Sequence, residues 1–351
     1  MDIDSISFMF KGLLFGLLVC MMMGQAGIRI ARLSKLMDIP GSTPHKQHTK
    51  PTPLAGGVTL MLSLTVVVLL SGLWKEKQIL PVLGGALVIF AFGVWDDKKN
   101  ISPTLKLLGQ VLASLLVIAS GIFIQIFETP GFIFSRPDAN IFVWPDRALT
   151  VFWIVGITNA FNLVDSMDGL AVGLSNYAFA FFMLAAYDSQ QLGLSFLFAI
   201  LLGIGIGLLY YNAPPAKVFL GDSGAQTIGF IIAVLAILYT PLDKDQSSSW
   251  FVPIMLVGVP IFDTCLVTFS RLRRRLPFYK AGRDHTYHRL VRMGWDSNRA
   301  VMIIHFAALA LDCLAFIAVS LEPFYANIAF IFCLIMGVAA LLFLDRATLI
   351  P

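Results

Sequence analysis

Charged side chains are scarce in this sequence, and their scarcity limits what the protein can be. Lys, Arg, Asp and Glu make up 13% of the 351 residues, whereas apolar residues make up 58% and the mean hydropathy is +0.82. Soluble domains carry about 25% charged residues. No interval between the apolar segments suits a soluble domain. The composition therefore excludes a soluble enzyme and indicates an integral membrane protein.

Cysteine is also rare, and its placement excludes disulfide-stabilised and zinc-binding proteins. The four cysteines lie in apolar segments without metal-ligand spacing, so we interpret them as small buried hydrophobic residues. The net charge of +4 is small and requires no nucleic-acid partner. The first apolar segment also lacks a basic leader, since Asp2 and Asp4 precede it, so we expect it to remain attached.

Long apolar segments recur along the whole chain. A helix needs about 20 residues to cross the ~30 Å hydrocarbon core of a bilayer. The pattern predicts an all-α polytopic membrane protein, one domain over 1–351, with about eleven transmembrane helices. The predicted spans lie near 6–28, 54–73, 79–95, 103–126, 147–164, 170–187, 192–211, 223–240, 250–270, 299–320 and 324–344.

The distribution of basic residues predicts which side of the membrane each loop faces. Alternate assignment of the loops places 19 of the 25 Lys and Arg residues on one face. Because cytoplasmic loops carry such an excess, we expect the N-terminus outside and the C-terminus in the cytoplasm. The main active-site loops are then expected on the cytoplasmic face, at 29–53, 96–106, 164–170, 212–223 and 271–299.

Carboxylates gather at the ends of two apolar segments, with Asp96 and Asp97 at one and Asp165 and Asp168 at the other. A charged residue at the centre of a membrane helix costs roughly 2.5–3.5 kcal/mol, so such clusters occur mainly at the rim, where they bind cations or perform chemistry. Taken alone, the first pair equally fits a solvated helix end that the following lysines balance.

The second cluster has a more specific pattern. Asn162, Asp165 and Asp168 follow one another at spacings of three residues, which brings their oxygens to neighbouring turns of one helix side. Ligand sets of oxygen alone suit Mg²⁺, with Mn²⁺ as the alternative ion. The competing interpretation is a polar helix end that stops at Gly169.

A further candidate follows the two prolines at 214–215. Small residues around Asp222, at the start of a predicted helix, let backbone N–H groups approach a phosphate. Asp222 is either an N-cap or a metal ligand, and the nearby carboxylates favour the ligand.

In the last large loop, His285 and His288 lie beside Arg283 and Arg289, which offers donors for a diphosphate and a general acid or base. The basic run at 271–275 is interpreted as a topology signal or a contact with lipid headgroups.

Together these motifs resemble the polyprenyl-phosphate N-acetylhexosamine-1-phosphate transferase family, also called membrane glycosyltransferase family 4. The resemblance implies a helical bundle of ten or eleven spans with a cytoplasmic site. It also implies transfer of a sugar-1-phosphate from a UDP-sugar to a polyprenyl phosphate, with release of UMP. We therefore expect a bacterial inner-membrane enzyme that starts a cell-envelope glycan by joining GlcNAc-1-phosphate to undecaprenyl phosphate. The matching segments are 38–41, 45–57, 95–97, 159–169, 218–224, 260–263 and 283–289.

The resemblance also implies roles for single residues. Asp222 is implied as the principal Mg²⁺ ligand with Asn162 as its partner, and Asp96, supported by Asp97, as the carboxylate that activates the lipid phosphate. The remaining implied site residues are catalytic or bind substrate, and they are Asp165, Asp168, Lys106, Asn212, Asp263, Arg283, His285, His288 and Arg289.

One position departs from the family pattern, because Tyr287 stands where the family often has a histidine. The separated histidines resemble the GlcNAc-type branch more than the phospho-MurNAc-pentapeptide branch, which remains the alternative donor class. Two other classes stay open, an ion-coupled transporter and a lipid phosphatase. A homodimer is also left open.

Overall fold

The computed structural model describes residues 3–39, 51–126, 143–241, 246–277, 282 and 284–347. Within them the chain forms fourteen α-helices and one two-stranded antiparallel ribbon. In chain order these elements are α1 (Ile3–Leu33), β1 (Met37–Asp38), β2 (Thr52–Pro53), α2 (Gly56–Ser71), α3 (Ile79–Lys99), α4 (Pro103–Ala119), α5 (Val143–Val164), α6 (Leu170–Asp188), α7 (Leu192–Asn212), α8 (Gly221–Leu238), α9 (Gln246–Ser249), α10 (Val252–Leu256), α11 (Gly258–Arg273), α12 (Thr286–Arg292), α13 (Ser297–Val319) and α14 (Pro323–Ala347).

Eight of the helices in the described ranges are long and apolar enough to cross a membrane, namely α1, α3, α5, α6, α7, α8, α13 and α14. Two more, α2 and α4, are apolar but shorter. Each of these ten helices overlaps one predicted span. The predicted all-α membrane protein is therefore confirmed, whereas the count of eleven crossings and their sidedness stay predictions.

The predicted span near 250–270 is not one helix. α10 ends at Leu256, Val257 has a non-helical backbone (φ −116°, ψ 21°), and α11 begins at Gly258. Pro260 provides the physical reason. Its ring would collide with the carbonyl of Leu256 four residues earlier, and it has no N–H to donate. The segment predicted as one transmembrane helix is therefore two helices, and whether it crosses the membrane stays a prediction.

α8 is the most buried of the eight candidate spans and packs against α2, α3, α5 and α6. Close approach to α3 requires a glycine at Gly93, because a Cβ there would collide with the backbone of Ser223. Gly57 of α2 meets Ser223 in the same way. The first turn of α8 therefore lies directly beside the end of α3.

A short ribbon joins two loops at this end of the bundle. β1 and β2 pair antiparallel, and the adjoining Leu54 forms a parallel bridge with Phe219. The amide of Phe219 donates to the carbonyl of Pro53 at 3.0 Å. The ribbon is a small departure from the predicted all-α fold, and it ties the segment before α2 to the segment before α8.

We expect Gly93→Ala to lower the free energy of unfolding by about 1–3 kcal/mol, because the added methyl group has no room beside the Ser223 backbone. Gly84→Ala, on the same helix, is the matched control, since a Cβ there would first meet side-chain atoms of Leu116 at 3.8 Å. Thermal unfolding in detergent measures both. Equal Tm values for the two variants would contradict the close packing of α3 on α8.

Candidate functional site

A pocket of about 1250 Å³ lies where α3 ends and α8 begins. Its carboxylates come mainly from α3, α8 and the segment after α5, while its cations come from Arg274, just after α11, and from α12. Eight of the thirteen predicted site residues line this pocket, namely Asp96, Asp97, Asn162, Asp165, Asp168, Asn212, Asp222 and His288. The structure thus brings together groups that are far apart in the sequence.

Lys106 joins two of the carboxylates. Its Nζ contacts Oδ2 of both Asp96, on α3, and Asp222, on α8. Asp96 also accepts a hydrogen bond from the Ile101 amide at 2.8 Å. One ammonium group therefore offsets the repulsion between carboxylates that two different helices contribute.

The start of α4 places Lys106 at this position. Pro103 is the first residue of the helix, and the Ser102 hydroxyl accepts from the Leu105 amide at 3.3 Å. A serine N-cap followed by proline is a common helix start. The capped first turn of α4 carries Lys106.

Asp97 contacts the start of α8 and not Lys106, unlike Asp96. Its carboxylate accepts from the amides of Asp222 (2.8 Å) and Ser223 (3.2 Å), and from the Ser223 hydroxyl (2.6 Å). These amides belong to the first turn of α8, where helix geometry leaves N–H groups without partners. Asp97 therefore caps α8 from outside that helix, so the Asp222 carboxylate is not needed for capping.

Asn162 and Asp222 are the predicted metal ligands. Both side chains line the pocket, and the Asn162 amide is near enough to the Asp222 carboxylate to stabilise its negative charge. Among the described residues, no three His, Cys, Asp or Glu side chains are arranged to bind one metal ion. Mg²⁺ is commonly held by one or two carboxylates with waters and substrate phosphates. This adjacent pair of oxygen donors fits such an ion.

Asp165 lies in the loop after α5 and lines the pocket. Burial raises the pKa of Asp165 to about 8, and the negative charges of Asp222, Asp168 and Asp97 add to the effect. The carboxyl group is therefore mainly protonated at neutral pH. In that state it can donate a hydrogen bond to an anion.

Asp168 and Asn212 hold two loops of the pocket together. Asp168 Oδ2 accepts from the Ala216 amide at 3.0 Å. Asn212 Oδ1 accepts from the Gly169 amide at 3.0 Å, and its Nδ2 donates to the Val218 carbonyl at 2.9 Å. Both predicted site residues line the pocket and fix the loops that carry its other side chains.

Asp263 and His285 lie behind the pocket wall. Oδ2 of Asp263 is 2.8 Å from His285 Nδ1, and Oδ1 accepts from the Thr286 amide at 2.6 Å. Both side chains are buried and neither lines the pocket. They position the start of α12, from which His288 reaches the pocket. Their predicted contact with substrate stays a prediction.

Arg289 is completely buried and binds protein groups. It donates to the carbonyls of Asp284 (2.8 Å) and Leu344 (3.1 Å), and it pairs with Asp345 at 3.5 Å. The residue therefore ties α12 to α14 and does not line the pocket. The last predicted substrate-binding residue, Arg283, lies outside the described residues.

Two cations of the pocket, Arg274 and Arg292, were not predicted as site residues. The basic run that contains Arg274 was predicted to be a topology signal or a contact with lipid headgroups. Its closeness in the sequence to the histidine loop was the available clue. Tyr287 also lines the pocket, and its hydroxyl hydrogen-bonds to the Ser297 hydroxyl at 2.9 Å.

Residues 79–240 match the model of "Glycosyl transferase family 4". A Bacillus subtilis (strain 168) protein named "Probable undecaprenyl-phosphate N-acetylglucosaminyl 1-phosphate transferase" is 33% identical over 278 residues, 79% of this chain and 75% of that protein. The Escherichia coli (strain K12) "Undecaprenyl-phosphate alpha-N-acetylglucosaminyl 1-phosphate transferase" is 27% identical over 83% of this chain and 78% of its own length.

A third relative is the "Phospho-N-acetylmuramoyl-pentapeptide-transferase" of a Bacillus licheniformis strain. It is 28% identical over 320 residues, which cover 86% of this chain and 95% of that protein. All three relatives are named as transferases. The transporter alternative is therefore not supported.

We expect Asp165→Asn to stabilise the protein at pH 8 by about 1 kcal/mol or more. The raised pKa means that folding holds a proton on Asp165, so the wild type loses stability as the pH rises from the unfolded pKa near 4 towards 8. The asparagine has no proton to lose. The Tm difference between variant and wild type should therefore shrink as the pH is lowered from 8 towards 5. A difference independent of pH would contradict the raised pKa.

Proposed function

Because this chain belongs to glycosyl transferase family 4, we propose that it transfers GlcNAc-1-phosphate from UDP-GlcNAc to undecaprenyl phosphate and releases UMP. The product would start the synthesis of a cell-envelope glycan. The observation that carries the proposal is the pocket at the ends of apolar helices, where clustered carboxylates face arginine and histidine side chains.

The pocket chemistry suits two anionic substrates that must meet. An oxygen of the lipid phosphate attacks the phosphorus that carries the sugar, a new P–O bond forms, and the bond to the UMP oxygen breaks. Arg274, His288 and Arg292 can pair with the diphosphate and the leaving UMP. Each of them can donate hydrogen bonds, and these become stronger as negative charge develops on the phosphate oxygens.

Asp96 and Lys106 are proposed to organise the attacking side. The lipid phosphate is already largely ionised near neutral pH, so it needs orientation more than deprotonation. The contact between Lys106 and Asp96 holds that carboxylate at the pocket wall. Protonated Asp165 can donate to a phosphate oxygen there. Positioning of this kind supplies a large part of the catalysis in phosphoryl transfer.

We propose Asn162 and Asp222 as the residues that hold Mg²⁺, with Mn²⁺ as an alternative ion. The bound ion supplies positive charge that neutralises the diphosphate. The adjacency of these two oxygen donors supports the assignment.

The donor sugar is assigned to GlcNAc from two observations. The Bacillus subtilis relative, which has a GlcNAc-type name, is 33% identical, compared with 28% for the MurNAc-pentapeptide relative and 27% for the Escherichia coli relative with a GlcNAc-type name. In addition, Tyr287 interrupts the histidine series, and its hydroxyl binds Ser297. The phospho-MurNAc-pentapeptide reaction is the second candidate, because that relative aligns over most of its length.

The proposed location is the bacterial inner membrane, with the pocket facing the cytoplasm. The pocket residues come from the loops on the face that carries 19 of the 25 Lys and Arg residues. Such an excess marks the cytoplasmic side of membrane proteins. The UDP-sugar would then enter from the cytoplasm, while the lipid would arrive within the membrane.

The purified protein should release UMP from UDP-GlcNAc only when both undecaprenyl phosphate and Mg²⁺ are present. Chromatographic measurement of UMP would compare UDP-GlcNAc, UDP-GalNAc and UDP-MurNAc-pentapeptide, with lipid-free and EDTA-treated controls. Preference for UDP-MurNAc-pentapeptide would replace the proposed donor. Phosphate release without any UDP-sugar would favour a lipid phosphatase. No UMP from any donor would contradict the transferase.

Asp222→Ala and Asp96→Asn should each lower kcat by at least about 100-fold, as the loss of a charge-stabilising group at an active site does. Asp312→Asn is the control, because Asp312 is buried in α13 and is not among the pocket-lining residues. Its kcat should stay within about twofold of wild type, as for substitutions away from a site. Full turnover in either pocket variant would overturn the site assignment.

A further inference from the structure

Three amide side chains from α4, α5 and α8 meet inside the bundle. Gln110 Nε2 donates to Asn159 Oδ1 at 3.1 Å and to Gln226 Oε1 at 2.9 Å. Asn159 Nδ2 returns a bond to Gln110 Oε1 at 2.7 Å and also donates to the Val155 carbonyl at 2.8 Å. Gln110 and Gln226 are 1% and 3% exposed. The bonds between Gln110 and Asn159 are reciprocal, and Gln110 links this pair to Gln226.

Each amide lies about one helical turn deeper in the bundle than a residue of the proposed site. A separation of three or four residues on a helix puts two side chains on the same face, about 5–6 Å apart along the axis. The three helices that carry the network are therefore the three that carry those site residues. The pairs are Gln110 with Lys106, Asn159 with Asn162, and Gln226 with Asp222.

The environment makes these hydrogen bonds selective for one arrangement of the helices. Water is scarce at this depth in a membrane, so an amide that loses its partner remains unsatisfied. Sliding or rotating α4 would break the bonds of Gln110 to both neighbours at once, and a shift of α5 or α8 would break the bond to that helix. Apolar side chains, in contrast, tolerate small shifts because dispersion contacts are not directional.

We infer that Gln110, Asn159 and Gln226 form an amide clamp, a set of positioning residues that fixes the site residues of α4, α5 and α8 relative to one another. The inference rests on the proposed function, because it assigns the clamp to the transfer reaction. The clamp does not touch substrate. It acts through the helix turns that carry Lys106 and Asp222, whose side chains must stay in contact.

A pair of substitutions at Gln226 separates the hydrogen bond from packing. Gln226→Met keeps the length of the side chain and removes the acceptor oxygen. Gln226→Glu keeps that oxygen, because a carboxyl group buried in apolar surroundings is neutral and retains its carbonyl. Thr227→Val is the matched control, since Thr227 is equally buried and donates to a backbone carbonyl of its own helix, that of Ser223.

In the UMP assay, Gln226→Met should lower kcat roughly 10- to 100-fold, with the KM for UDP-GlcNAc changed by less than about threefold, as expected when reacting groups are misplaced by about 1 Å. Gln226→Glu should recover most of the lost kcat, and Thr227→Val should match wild type. If Gln226→Met does not fold, Gln110→Met removes the same hydrogen bond from the donor side and takes its place in the test. A kcat within about twofold of wild type in the methionine variant, while the wild type is active, would overturn the clamp.

Hydrogen–deuterium exchange of the same purified proteins tests the clamp without turnover. Peptides covering 103–110 and 221–228 should exchange faster in Gln226→Met than in Gln226→Glu or Thr227→Val, because the loss of the clamp frees the first turns of α4 and α8. Unchanged exchange would overturn the inference. If the wild type releases no UMP, the proposed function fails, and the exchange result alone decides whether the clamp holds the helices.

Discussion

The arrangement of the whole pocket depends on the Asp97 carboxylate. Its two oxygens satisfy amides at the start of α8, which no group of that helix can reach. Because Asp97 lies in the last turn of α3, this cap fixes one helix end against another. Asp96 and Asp222 then face each other as a direct result. Gly93 leaves room for the same contact. The Asp97 hydrogen bonds and the close backbone packing therefore occur at the same crossing of α3 and α8.

The pocket separates charge between two parts of the chain. The carboxylates come largely from the helices of the family-matched region, while Arg274, His288 and Arg292 come from the segment that follows it. Within the acidic part, only one of the described cations, Lys106, contacts carboxylates of both α3 and α8. An anionic substrate therefore gains from the basic wall and approaches the acidic wall only where a cation screens it.

The sequence predicted most helices because apolar length and local caps are encoded by neighbouring residues, as at Ser102 and Pro103. It did not predict the features that depend on a helix-breaking proline inside an apolar run or on contacts between residues far apart in the sequence. The break before α11 followed from Pro260, whose effect falls inside an otherwise suitable apolar run. Gln110 and Gln226 gave no motif, since each is an isolated amide among apolar residues, and their bond spans 116 positions. Only the folded chain shows that these residues meet.

The bonds between Arg289 and α14 also have a consequence for biogenesis. The segment that carries His288 is held by the Leu344 carbonyl and the Asp345 carboxylate, which the ribosome adds long after α3 and α8. Until α14 has been inserted, a fully desolvated guanidinium group has no partners from that helix. The contacts that hold this part of the basic wall are therefore completed only after α14 has been added to the chain.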